Sequence, residues 1–136
     1  MAIVNIRDTG RNSAKVGDVR ELATKVQKPS DTEAITAANT ITAAESGTRY
    51  VLNVAAAKIQ TLPTPAAGLE YWFYVGATEP TGTHTVVTAS SANIIVGNVS
   101  SPEDAAGSVA TVTDADTISF VANKAVHGDF VHVWSD

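Results

Sequence analysis

The sequence predicts an all-β protein, mainly antiparallel, with a sandwich or jelly-roll-like body, an extended N-terminal arm and one short helix. Three observations carry that expectation. Alanine, valine and threonine dominate while leucine occurs only four times in 136 residues, a balance suited to pleated sheets and small-residue turns. Short apolar runs recur at close spacing, separated by Gly, Pro, Asn and Asp, and read as about eight strands. There is no cysteine, so the fold cannot rest on disulfides or thiolate metal sites, and a chain of this length can bury a core without them.

The arm spans residues 1–33. Ile3, Val4 and Ile6 suit a short strand, and "DTGRNS" then breaks the pattern. A helix is expected over about 18–27: Asp18 can cap its first turn with Glu21 three residues on, Val19, Leu22 and Val26 recur at helical spacing, and Lys28-Pro29 ends it. Charge separates this arm from the rest. Residues 1–28 hold Arg7, Arg11, Lys15, Arg20, Lys25 and Lys28 against Asp8, Asp18 and Glu21, a balance of +3. The remainder sums to −8, within a net charge of −5. A cationic arm on an acidic body suits either a partner-binding segment or a merely solvated one.

Near the start of the body, residues 34–136, stands "ITAANTITAAESG", residues 35–47. Thr42 and Glu45 match a capping box and Gly47 supplies a left-handed stop, predicting a single helical turn before the strand "TRYVLNV". Tyr50, Leu52 and Val54 share a face of that strand, and Ile59 and Thr61 alternate with Gln60 and Leu62 in the next. Pro63 to Gly68 is a connection.

The next stretch, "LEYWFYVG", holds four of the eight aromatic residues. Alternation puts Leu69, Tyr71, Phe73 and Val75 on one face and Trp72 and Tyr74 on the other. Such a strand is buried centrally, or has one face in a core and one in a subunit interface. "GTHTVVTA" and "ANIIVGNV" follow as strands, then the acidic loop "SSPEDAAGS". "SVATVT" and "DTISFVAN" are expected to form a hairpin about "DAD". "GDFVHVWSD" puts Phe130, His132 and Trp134 on one face and Val131 and Val133 on the other.

Chemistry finds little purchase. No nucleophile elbow, phosphate loop, dinucleotide fingerprint, zinc-protease helix or EF-hand loop occurs. His127 and His132 are too far apart on a strand to share a metal, and His84 reads as an ordinary strand residue. Asp114 and Asp116, with Glu103 and Asp104, could gather Ca²⁺, but aspartate in turns is common because its side chain bonds the backbone ahead. No catalytic residue, metal ligand or cofactor is assigned. The acidic body argues against nucleic acid. No apolar run reaches the roughly 20 residues of a membrane span, and "MAIVNIRDTG" lacks the features of a signal peptide.

"ITAAESGTRYVLNVAAAKIQTLPTPAAGLEYWFYVG", "ANIIVG", "DTISFVAN" and "GDFVHVWSD" together resemble a β-rich module of tailed-bacteriophage virion proteins, found in head decoration (cement) proteins and in tail fibres. The likeness covers about residues 40–136. In related sequences the last strand runs on into a further turn and aromatic strand, whereas this sequence stops at Asp136, so its final sheet edge departs from that pattern.

The resemblance implies a structural protein, not an enzyme, on the outer surface of the virion capsid. It would be made in the host cytoplasm, with the major capsid protein and copies of itself, as a homotrimer, for partners. Ile3, Val4, Ile6, Arg7, Arg11, Lys15 and Arg20 would then contact the capsid, by strand addition and by pairing with shell carboxylates. Trp72, Tyr74 and Trp134 would lie at the oligomer interface. The alternative is a tail-fibre or baseplate module that presents such aromatics to a host receptor or glycan.

Overall fold

The structure is a computed structural model and describes residues 31–100 and 109–136. The predicted arm helix and all seven arm residues assigned to capsid contact lie outside the described residues, as do Glu103 and Asp104.

Among the described residues ten strands follow in order: β1 (Thr32–Ile35), β2 (Asn39–Thr40), β3 (Arg49–Leu52), β4 (Ile59–Thr61), β5 (Leu69–Val75), β6 (His84–Val87), β7 (Ile95–Ser100), β8 (Val109–Ala115), β9 (Thr117–Phe120) and β10 (Phe130–Ser135). The all-β class holds. Among the described residues the strands form two four-stranded sheets, ordered β1-β3-β5-β10 and β2-β4-β6-β9, and a ribbon of β7 and β8.

The expected mainly antiparallel pairing gives way to mixed sheets. β1, β3 and β5 run parallel in one sheet, and β2, β4 and β6 run parallel in the other. Only β10 and β9 close these sheets antiparallel. The reason lies in the connections. From β1 to β6 the chain alternates between sheets, so each strand is the crossover that returns the chain to its starting sheet in the same direction. Turn residues signal a reversal, but not whether the next strand pairs with the last.

The predicted hairpin about "DAD" is likewise corrected. β8 pairs with β7 while β9 pairs with β6, so the chain changes sheets at Asp116 instead of folding back on itself. Asp114 takes a left-handed φ of 57° close to an irregularity in the β7–β8 register, which fits a bulged exit from the ribbon.

One core joins both sheets. Ile35, Tyr50, Leu52, Tyr71, Phe73 and Val75 meet Val86 and Phe120, with Ile41, Leu62 and Ala125 from the segments beside the strands. The "ITAA" pair thus places both isoleucines, Ile35 and Ile41, inside. Gln60 is also fully buried, while its neighbour Ile59 is 53% exposed. Alternation allows either face to turn inward, and here Gln60 donates from Nε2 to the Ala37 carbonyl at 3.0 Å, which offsets part of the cost of burying the amide. His84 lies on β6, the strand position expected, and is buried there with Nε2 2.9 Å from the Val54 carbonyl.

The predicted turn after Ile41 is present as a 3₁₀ turn at Ala43–Glu45. The Thr42 N–H and hydroxyl both donate to Glu45 Oε2, at 2.7 and 2.6 Å, and Gly47 follows at φ +87°. Two core tyrosines hold this turn to the sheet. The Tyr50 hydroxyl donates to Glu45 Oε1 at 3.2 Å and the Tyr71 hydroxyl to the Thr42 carbonyl at 3.0 Å.

Candidate functional site

Strand β5 is where core and surface separate most sharply. Tyr71, Phe73 and Val75 are buried, whereas Trp72 and Tyr74 are half-buried on the opposite face, as alternation requires. β10 lies antiparallel beside it, pairing Phe130 with Tyr74, His132 with Trp72 and Trp134 with Glu70. The flanking bonds run through Val75 to Asp129 and Gly128. Phe130, His132 and Trp134 therefore occupy the non-hydrogen-bonded positions, where facing side chains stand closest.

The result is a continuous aromatic face. His132 stacks on Trp72 with ring centroids 3.8 Å apart and planes within 8°. Trp72 and Tyr74 lie 6.0 Å apart, nearly parallel at 11°. Phe130 sits 6.0 Å from Trp72 and 5.7 Å from Tyr74. Trp134 ends the row, 5.3 Å from His132. Such contacts are each worth roughly 0.5–1.5 kcal/mol beyond area burial, so the rings hold one another in place. Even so, Phe130 and Trp134 remain 59% and 69% exposed.

Polar groups frame the rings. Exposed Arg49 of β3 is opposite Trp72 in the sheet. His132 Nε2 lies 3.3 Å from Glu70 Oε2, at ion-pair distance but without hydrogen-bond alignment. With its faces partly covered by neighbouring rings, Trp72 is poorly placed to stack on a flat ligand. Trp134, at the end of the row, is more open.

All three residues expected at an oligomer interface, Trp72, Tyr74 and Trp134, are brought onto this face. Phe130 and His132 complete it and were not assigned to it from sequence. Their signal was present in the alternation of "DFVHVWSD", which put them on the face of Trp134. What sequence could not supply was the neighbour, because nothing local specifies that β10 pairs with β5.

Other candidate chemistry stays dispersed. No group of three or more His, Asp or Glu residues is placed to hold a metal ion among the described residues. His127, exposed in the turn before β10, donates its backbone N–H towards Glu79 Oε1 at 3.5 Å. A hollow of about 210 Å³ beside Glu33, Ala37, Asn39 and Gln60 gathers no convergent acid and base. Among the described residues no helix is long and apolar enough to cross a membrane. No family model, curated protein or solved structure matches the chain.

Proposed function

We propose that this is a virion structural protein that decorates and stabilises a tailed-phage capsid, bound as an oligomer between capsid subunits on the outer surface, without catalytic activity. The observation that carries this reading is the aromatic face of β5 and β10. An apolar, pre-stacked surface of this kind loses little side-chain freedom on association and suits contact between protein chains. The resemblance of residues 40–136 to phage virion modules supplies the setting.

In this reading the face joins copies and the arm reaches the shell. Ile3, Val4 and Ile6 add a strand to a capsid sheet, while Arg7, Arg11, Lys15 and Arg20 approach its carboxylates. A ligand that binds only the assembled lattice stabilises it by mass action, multiplied over many sites. Deleting residues 1–16 should abolish binding to purified shells while circular dichroism and oligomeric state remain those of the full chain. Unchanged affinity of the truncated protein for shells would refute the role of the arm.

One observation favours a second reading. The open ring of Trp134 could stack on a sugar, as a tail-fibre or baseplate module that binds a host glycan would require. The partly covered faces of Trp72 and His132 count against an extended sugar platform. Binding to host cells or surface polysaccharide that Trp134→Ala removes would favour this second reading.

A further inference from the structure

Among the described residues, the outermost strands of the two four-stranded sheets differ in how they discourage further pairing. β2 has two residues and β9 has four, while β1 has four and carries Glu33. Short strands and charges are ordinary protection against edge-to-edge association. β10 has neither. It runs six residues in unbroken register with β5, contains no Pro, Gly, Lys or carboxylate, and has no neighbour on its other side among the described residues. Its odd-numbered residues turn their backbone groups toward β5, so those of Phe130, His132 and Trp134 face outward.

We propose that this edge pairs with the same strand of a second copy, antiparallel about a two-fold axis at His132. The inference rests on the self-association proposed above and specifies its geometry. Hydrogen bonding from a free edge requires outward-facing residues to oppose one another. Centring the pair on His132 does this at every step: His132 meets its own counterpart, and Phe130 of each copy meets Trp134 of the other. The two exposed aromatic residues of the face thus cover each other, and the aromatic rows of both copies join on the same side of a continuous sheet. An isologous contact needs this self-complementarity. Every other centre that keeps outward residues opposed leaves a Phe130 or a Trp134 without an aromatic partner.

Size places the contact in the weak class. Phe130 and Trp134 expose roughly 250 Å² of side chain per copy, taking full burial of each at about 150–250 Å². With the backbone edge the interface falls near or below the roughly 1,200 Å² of standard stable complexes. Two acidic copies also repel each other at low salt. The pair is therefore a concentration-dependent dimer, a strength that suffices when a lattice holds copies side by side. It replaces the three-fold arrangement implied by the resemblance with a two-fold contact.

Because the chain lacks cysteine, a single introduced thiol reports the register directly. In the proposed pair the two His132 Cα atoms are about 5.5 Å apart, inside the roughly 4.4–6.8 Å range a disulfide spans. Under mild oxidation His132→Cys should form a covalent dimer, and Ala77→Cys, exposed beyond the end of β5, should not. By analytical ultracentrifugation the unmodified protein should dimerise with rising concentration. Trp134→Lys should weaken that dimer roughly 30-fold or more while leaving the circular dichroism spectrum unchanged.

His132→Pro offers a second break that spares β5, because the N–H it removes faces outward. A protein that stays monomeric at high concentration, a trimer, or a dimer indifferent to Trp134→Lys and not captured by His132→Cys would overturn the proposal. Shell binding is scored separately. Decoration by a monomeric protein would sink this contact and leave the arm hypothesis standing, whereas a His132-centred dimer that ignores shells would do the reverse.

Discussion

The two faces of β5 are made from the same kind of residue and do different work. Tyr71 and Phe73 point inward, are at most 3% exposed, and meet residues of both sheets. Trp72 and Tyr74, one position away on either side, point outward and meet only the rings of their own sheet among the described contacts. Aromatic content alone therefore does not mark a core. What marks it is whether a second layer lies over the face.

Substitutions along the strand test this contrast. Phe73→Ala should have the largest effect, destabilising the fold by about 3–5 kcal/mol in denaturant unfolding, since it empties a fully buried site stacked on Tyr50. Trp72→Ala should cost less, about 1–3 kcal/mol, because the ring is half-buried but contacts Tyr74, Phe130 and His132. If Trp72→Ala equalled Phe73→Ala, the outer face would have to be counted as a second core.

The inner tyrosines allow a finer test because each also holds a hydrogen bond. Tyr71→Phe should cost about 1 kcal/mol by stripping the Thr42 carbonyl of its donor. Burial, and then the Glu45 carboxylate, raise the ionisation of both Tyr50 and Tyr71 above the ordinary tyrosine value. A group whose folded pKa is raised contributes stability that is complete below its unfolded value, about pH 10, and lost as pH rises through the folded value. Melting temperature should therefore fall above about pH 10, and Tyr50→Phe should flatten that fall. Hydrogen bonds from the Thr42 hydroxyl and N–H lower the pKa of Glu45. Its contribution is present above about pH 4.3 and is lost on further acidification. Smallest of all, Trp134→Ala should destabilise the monomer by only about 0.5–1 kcal/mol, since among the described residues this mostly exposed side chain has a single ring contact, with His132.

Local features were legible where the physics is local. The Thr42–Glu45 turn and its Gly47 stop were readable because a capping box closes within four residues. The face assignments of "LEYWFYV" and "FVHVWS" were readable because side chains alternate with period two. Pairing was not. The "DAD" segment has the composition of a hairpin turn, yet β8 and β9 join different partners, since that choice depends on strands far away in sequence. Parallel sheets were missed for the same reason. A strand that serves as a crossover looks, residue by residue, like one that continues a meander.

For the candidate site, the sequence by itself determined which side chains share a face: Trp72 with Tyr74, and Phe130 with His132 and Trp134. Only the tertiary structure decided that these two sets adjoin, with His132 against Trp72, and that β10 is the last strand of its sheet among the described residues. Alternation follows from the geometry of each peptide unit, so neighbours along the chain specify it. Strand order follows from which apolar faces the whole chain can bury together, a choice no single segment contains.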